Sequence, residues 1–381
     1  MGALAFNPNR LKAARIYRGL TITDLAAEID VTKQMVSQYE NGKSVPGVDT
    51  LFKIITVLKF PRDFFYKGNF NAAVENTFFR ASSTATKKSL KMQEVHSLLI
   101  TEIYDVLEEY VDFPTLNLPQ NISDNPEEAA IQLREFWGLG MEPIDNIIYE
   151  LEQNGIIVTS YESNQFKIDA YCQHQLINGL DRFVVVLTND KQSFARRQFN
   201  AAHELGHICL HKENLVVDEL SAEEFAQMEN EANEFAAAFL LPKNAFLSDL
   251  HYPNKLEYYI ELKKKWKVSI QMMIIRARNL DAINYNQYQY LMRKVSALGW
   301  KQKEPLDEVF VMRKPQAFNS ALELIIYNDV LQSSQFINHL SIDKEDIEKA
   351  IDIDSNILSY SRNIENNLVT LSNTRRDLMS K

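Results

Sequence analysis

The chain has 381 residues, of which 45% are hydrophobic, which is enough for two or three domains with cores of their own. Its formal net charge of −10 excludes a general nucleic-acid binder, although residues 1–67 carry a net charge of +4, from ten basic and six acidic side chains. With only two cysteines, Cys172 and Cys209, the chain can build neither a disulfide framework nor a cysteine-rich zinc site.

No apolar run of signal-peptide type follows Met1, and no stretch approaches the ~18 apolar residues of a membrane span. We therefore expect a cytoplasmic protein with reduced thiols and no membrane contact.

Residues 1–68 are predicted to form a compact domain of short helices. Thr32 has the position of a helix N-cap, and Asn41-Gly42 ends that helix. A tight turn at Asp30-Val31 separates it from the helix before, which Thr23 is expected to cap. The predicted helices cover residues 9–17, 23–29, 33–40 and 49–58, and a last one opens at Pro61.

The segment 20–43 resembles the XRE family, the lambda Cro/repressor-like helix-turn-helix. The resemblance implies a five-helix domain that binds double-stranded DNA through its second motif helix. Glutamine can read adenine in the major groove, and lysine or serine can reach guanine or phosphate. The predicted DNA-contacting residues are Thr32, Lys33, Gln34, Ser37, Gln38 and Lys43. The modest charge predicts salt-sensitive binding as a homodimer. A helical domain used only for protein contacts is the alternative.

The rest of the chain is predicted to be mainly α-helical with a small β-sheet. Residues 69–124 are interpreted as a helical linker, 125–250 as an α+β domain, and 251–381 as a helical C-terminal region whose polar part from Ser341 packs loosely. Apolar, β-branched runs predict two strands, and apolar periodicity predicts two long helices. The strands lie at 156–158 and 183–187, and the helices at 194–211 and 223–241.

One of these long helices contains the pattern His203-Glu204-Leu-Gly-His207. Residues i and i+4 share a helix face, so both imidazoles can bind one Zn²⁺ ion. Glu204 then lies beside the open coordination position and can act as general base for water, whose pKa zinc lowers to roughly 7. A surface helix with two histidines is the alternative, but the apolar residues around the motif indicate a buried face.

A third protein ligand is expected on the next helix. Glu229 and Asn233 share a face there, so Glu229 can bind the metal while Asn233 holds a ligand histidine by a hydrogen bond. Glu231 and Glu234 are the competing ligands, although the apolar face of this helix favours Glu229. His211 is interpreted as structural, because one unbroken helix cannot bring three successive i+4 histidines onto one ion.

With these motifs, and with Leu-Leu-Pro242 closing the second helix, residues 125–320 resemble the ImmA/IrrE family of metallopeptidases. The resemblance implies a zincin-like (gluzincin) fold with His203, His207 and Glu229 on zinc and Glu204 as the catalytic residue. It also implies, as substrate, a repressor or regulator of a phage, a mobile element or a stress response.

Three functions from different classes follow. The first is a zinc metallo-endopeptidase that its helix-turn-helix domain targets to DNA. The second is a transcriptional regulator whose metallopeptidase-like domain senses a signal or partner without proteolysis. The third is a toxin–antitoxin-like or mobile-element immunity protein whose body only binds a partner. Arg196 and Arg197 precede the metal helix and could stabilise an oxyanion, but a surface pair that caps acidic neighbours is the favoured interpretation.

Overall fold

The computed structural model describes residues 5–81, 86–161, 168–189, 193–211 and 220–360. The first domain has the predicted helix-turn-helix architecture. Its helices are α1 (Pro8–Tyr17), α2 (Ile22–Glu28), α3 (Lys33–Glu40) and α4 (Val48–Leu58), followed by a 3₁₀ turn at Arg62–Tyr66. Thr32 caps α3 as expected, by accepting a hydrogen bond from the Met35 amide. Thr21 rather than Thr23 caps α2, because Asp24 completes a capping box with it.

A four-stranded sheet with the order β1-β3-β4-β2 forms the centre of the body. The strands are β1 (Ala73–Ala81), β2 (Ile157–Tyr161), β3 (Ile168–Ile177) and β4 (Leu180–Thr188). β3 pairs antiparallel with both β1 and β4, while β2 pairs parallel with β4. The two predicted strands correspond to β2 and β4. The structure adds β3, and it adds β1 within the stretch expected to be a helical linker.

Helices pack on both faces of this sheet. The body helices are α5 (Lys87–Glu108), α6 (Pro126–Phe136), α7 (Ile147–Gln153), α8 (Phe194–Leu210) and α9 (Ala222–Leu240). The C-terminal helices are α10 (Lys243–Asp249), α11 (Leu256–Trp266), α12 (Ile270–Asn279), α13 (Tyr285–Ala297), α14 (Ala317–Tyr327), α15 (Ser333–Leu340) and α16 (Lys344–Ile351). None of the described helices is both long and apolar enough to cross a membrane.

The sheet separates two apolar cores. On one face, Phe78, Cys172 and Val185 belong to the core that includes α8 and α9. On the other face, Tyr171 and Val184 belong to the core that includes the first domain, α5 and α14 to α16. Burial on both faces explains why β4 is a continuous apolar run rather than an alternating pattern.

The C-terminal region folds back onto the first domain. Ile347, Ile351 and Ile357 are buried, so the expectation of loose packing after Ser341 is wrong for the residues described up to 360. Asp346 of α16 forms an ion pair with Arg18 of α1, which gives this polar segment a partner more than three hundred residues away in sequence. Residues 361–381 lie outside the described part of the chain.

Candidate metal centre and nucleic-acid interface

His203 and His207 lie one helical turn apart on α8, and neither side chain is exposed to solvent. Their Nε2 atoms are 3.0 Å apart and face the same point. The helix begins at the Ser193 cap and stays regular through the motif, which holds the two rings on one side.

Glu229 of α9 completes a group of three possible ligand side chains with His203 and His207, here called the metal group. Its Oε2 lies 3.5 Å from His203 Nε2, and its Oε1 lies 3.2 Å from His207 Nε2. α9 can come this close because Gly206 has no side chain: a Cβ there would lie 3.1 Å from the Ala232 Cα and O atoms. Burial alone would raise the pKa of Glu229, but hydrogen bonds from the two histidines hold that pKa well below its usual range.

This donor set fits a zinc ion. A tetrahedral ion with ligand bonds of about 2.0–2.1 Å keeps its ligand atoms about 3.3 Å apart. The separations of 3.0, 3.2 and 3.5 Å between the side chains of His203, His207 and Glu229 match that value. Of the two competing carboxylates, Glu231 faces His211 instead, and Glu234 is exposed on α9.

Each histidine also has a contact through its other ring nitrogen. His203 Nδ1 lies 3.0 Å from Asn233 Oδ1, as the sequence predicts. His207 Nδ1 lies 3.1 Å from His211 Nδ1, and His211 Nε2 lies 3.0 Å from Glu231 Oε2. This second chain of contacts is not predicted from the sequence. The signal was the spacing, because His211 follows His207 by four residues and therefore stacks over it on the same face.

Glu204 is fully buried between α8 and the sheet. Its carboxylate interacts with the thiol of Cys172 on β3. Burial, followed by the charge of Glu204, raises the pKa of the Cys172 thiol well above its usual range. Cys172 therefore stays protonated, which distinguishes it from a thiolate ligand or nucleophile.

An aromatic ring from β1 covers the site. The Phe78 ring stacks on His207 with ring centroids 5.2 Å apart and planes inclined by 10°. Phe78 is only 1% exposed, and it pairs in register with Cys172 of β3. His203, Glu204 and His207 are thus enclosed by α8, α9 and the edge of the sheet formed by β1 and β3.

A cleft of about 970 Å³ adjoins the group on its other side. Phe199 and Asn233, which line this cleft, both contact His203. The opposite wall comes from α12 and from the loop that follows α13, including Gln271 and Trp300. Arg196 lines the cleft as well. Arg197 does not form a surface pair with it: Arg197 is buried and donates hydrogen bonds to the Thr188 carbonyl and to Asn189 Oδ1.

The residues predicted to contact DNA lie on the outer side of the first domain. Ser37 is half-buried, and the other five are exposed. These five are Thr32, Lys33, Gln34, Gln38 and Lys43. Beneath them, Val36 and Tyr39 pack into the core, and Arg15 of α1 forms a buried ion pair with Glu40 that holds the end of α3 in place.

Two family models match the chain. The model described as the IrrE N-terminal-like domain matches residues 151–278, and the model described as helix-turn-helix matches residues 11–65. No curated protein matches.

Solved structures show weaker similarity. A Mycobacterium tuberculosis transcriptional regulator is 20% identical, with 48% of this chain and 50% of that chain covered and a TM-score of 0.29. The chain thus spans about half the length of that regulator. Bacillus thuringiensis PlcR, in complex with the peptide PapR7 and DNA, is 14% identical, with 78% of this chain and 98% of that chain covered and a TM-score of 0.15.

Proposed function

The chain joins an XRE-type helix-turn-helix domain to an IrrE/ImmA-like domain, and from that premise we propose that this DNA-binding regulator is a zinc endopeptidase. Its proposed substrate is a regulatory protein, such as the repressor of a phage, a mobile element or a stress response. The observation that carries the proposal is the convergence of His203, His207 and Glu229, with the Glu204 carboxylate one residue from the first of them.

The proposed ligands are His203 Nε2, His207 Nε2 and one oxygen of Glu229. When bound, zinc supplies Lewis acidity, which polarises a peptide carbonyl and activates water. Glu204 takes a proton from water as general base and then delivers it to the leaving amine as general acid. Asn233 contacts His203 Nδ1, and His211 contacts His207 Nδ1. These contacts are proposed to fix the orientation of the two imidazoles.

The first domain is proposed to place this activity on double-stranded DNA. The amide side chains of Gln34 and Gln38 are exposed at the face of α3, where they can read bases, and Lys43 can reach a phosphate. The closing turn of the domain and α1 remain attached to the body through Glu102, which accepts from Arg10 and Lys67. The DNA-binding domain, residues 1–68 and here called the head, is thus joined to the proposed protease by ion pairs as well as by the chain.

We also propose that the protein binds DNA as a homodimer. One head carries a net charge of only +4, and helix-turn-helix proteins commonly bind paired half-sites as dimers. Val45, Val48 and Phe52 are 63%, 71% and 64% exposed, which gives the head an apolar surface next to α3 for a second copy.

A second candidate function is transcriptional regulation without proteolysis, with the metal group as a sensor or structural site. The observation that favours it is enclosure: His203, Glu204 and His207 are each 0% exposed. In this conformation none of these three side chains offers an exposed surface to a peptide, whereas the Glu229 side chain is 21% exposed.

New N-termini in a cell extract distinguish the two functions. Zinc-replete wild type and Glu204→Gln are each incubated with an extract of the chain's source cells, and protein N-termini are compared by mass spectrometry. Glu204→Gln keeps the three proposed ligands, so it serves as the matched control. We expect new N-termini from at least one regulatory protein with wild type only. The same N-termini with both proteins would overturn the proteolytic function, and so would the absence of new N-termini when the comparison is repeated in a Phe78→Ala background, in which the ring over His207 is removed.

A further inference from the structure

β1 does not belong to the part of the chain that matches the IrrE model. That match covers residues 151–278 and contains β2, β3 and β4, whereas β1 (Ala73–Ala81) comes from the segment between the head and α5. In the sheet order, β1 is the outermost strand and pairs only with β3. Without β1, the long edge of β3 would be open to an incoming strand.

The covered edge of β3 is the edge closest to the metal group. Cys172 of β3 lies beside Glu204, and its partner across the strand pair is Phe78 of β1. Phe78 in turn stacks on His207 and lies 6.4 Å, between ring centroids, from His211. Any extended chain paired to β3 at this register therefore runs past both the proposed general base and a proposed ligand.

Extended peptides bind open sheet edges by adding a strand, with backbone hydrogen bonds for affinity and side-chain pockets for specificity. We propose that β1 is a built-in cover that occupies the position of the polypeptide substrate on β3, so that cleavage requires β1 to leave. This inference rests on the proposed peptidase function and adds its regulation: the enzyme is latent, and the segment that binds on β3 is an extended stretch of another protein.

β1 is paired less regularly with β3 than β4 is on the other side of β3. Ala73, Val74 and Glu75 are exposed, and the ladder with β3 is irregular between Val74 and Asn76. A second irregularity follows between Phe79 and Ala81. The regular pairing is thus limited to a few residues, with Phe78 the main buried apolar anchor among the described side chains of β1. Such a strand can open locally at a fraction of the free energy of global unfolding.

The buried thiol of Cys172 reports whether β1 is in place. In a Cys209→Ala background, Cys172 is the single cysteine of the chain. Phe78→Ala removes the ring that anchors β1 over His207, whereas Val74→Ala changes an exposed residue of the same strand and is the matched control. The rate of Cys172 modification by a maleimide is measured for each variant of the full chain.

We expect Phe78→Ala to raise the modification rate roughly tenfold or more, and Val74→Ala to leave it near that of the parent. A synthetic nonapeptide with the β1 sequence, Ala-Val-Glu-Asn-Thr-Phe-Phe-Arg-Ala, should slow the reaction again in Phe78→Ala, because it can refill the vacated edge. A scrambled peptide of the same composition should not slow it.

A second thiol separates local opening from general loss of structure. In a Cys172→Ala background, modification of Cys209 on α8 should be unaffected by Phe78→Ala. The proposal is overturned if Cys172 stays protected in Phe78→Ala, if Cys209 becomes reactive to the same extent, or if the β1 peptide gives no protection. These outcomes do not depend on proteolysis, so failure of the cover and failure of the peptidase function are recognised separately.

Discussion

At the scale of single residues, the two histidines of the metal group differ in what holds them. The Nδ1 atom of His203 faces the amide oxygen of Asn233, so with zinc bound Nδ1 would keep its proton and Nε2 would donate its lone pair to the metal. His207 has a longer chain of contacts: its Nδ1–H can donate to His211 Nδ1, and His211 Nε2–H can donate to Glu231. Both arrangements fix the tautomer in which Nε2 is the ligand atom.

We predict that His211→Ala and Glu231→Ala weaken zinc binding by roughly tenfold to a hundredfold, because each removes a contact that holds the orientation and tautomer of His207. His211→Phe keeps the ring volume and should lose the same affinity. Affinity is measured by competition with a chromogenic chelator, with Glu234→Ala as the control on the exposed side of α9. Equal affinities for His211→Phe and wild type would show that the ring contributes packing only.

Base reading by α3 and phosphate contact by Lys43, which follows α3, should differ in how they depend on salt concentration. Using DNA selected in vitro by the wild-type protein, we predict that Gln38→Ala costs about 1–3 kcal/mol of binding free energy and relaxes sequence preference. Lys43→Ala should weaken binding to all sequences evenly and reduce the salt slope by about 1 per head. Fluorescence anisotropy over a range of salt concentrations measures both. A sequence-independent loss in Gln38→Ala would contradict its assignment to base reading.

Residue types and spacing were enough to predict that His203, His207, Glu229 and Asn233 lie together. They were not enough to predict the contacts of His207 with His211 and of His211 with Glu231. The i, i+4 rule by itself places His203 with His207, and Glu229 with Asn233, on shared helix faces. His211 satisfies the same rule, but its role depends on Glu231, whose direction is set by the crossing of two helices. Sequence spacing alone does not give that crossing, which depends on the contact between Gly206 and Ala232.

At the scale of elements, one buried carboxylate joins two helices that are distant in sequence. Glu152 of α7 accepts hydrogen bonds from the backbone amides of Gln316 and Ala317 at the start of α14. Burial raises the pKa of Glu152 from 4.5 to about 7, although these two hydrogen bonds oppose the rise. The carboxyl group therefore keeps its proton in the folded protein at a pH where the unfolded chain has lost it.

This shift predicts a loss of stability with rising pH. Between about pH 4.5 and 7 the unfolded chain binds fewer protons than the folded protein at this group, so its contribution to the free energy of unfolding falls across that window and is constant above it. Glu152→Gln keeps the acceptor oxygen and removes the titration. In urea unfolding, the free energy of unfolding should decrease less between pH 5 and pH 8 for Glu152→Gln than for wild type. Equal decreases would contradict the shifted pKa.

The elements that sequence patterns missed are those whose partners are far along the chain. β3 contains Gln173 and Gln175, which look like solvent-facing positions, yet both are buried. They bond to each other, and Thr77 of β1 and Thr101 of α5 complete the network. Polar residues satisfied in this way leave no apolar alternation from which a strand could be predicted.

At the scale of the whole molecule, the sheet lies between the metal group and the DNA-binding head. One face supports α8 and α9, and the other supports α5, against which the head packs. β1 is the segment that connects the head to α5, and it also covers the metal group. A displacement of the head on DNA or by a partner would therefore act directly on the proposed cover.

The apolar content predicts two or three domains with cores of their own, but it does not predict which elements share a core. Residues 1–68 are predicted as a helix-turn-helix domain, and their buried residues share a core with α5 and the C-terminal helices. Helical periodicity gives each element an apolar face without specifying which other element covers it. The long-range pair of Arg18 with Asp346 illustrates the same limit for charges.

Zinc content tests the central claim most directly. Elemental analysis of zinc-replete wild type, His203→Ala, Glu229→Ala and Glu234→Ala compares the proposed ligands with an exposed carboxylate on the same helix. We predict about one zinc per chain in wild type and in Glu234→Ala, and loss of zinc in the other two variants. A wild-type protein without zinc, or zinc retained in both His203→Ala and Glu229→Ala, would contradict the metal site on which the proposed peptidase function rests.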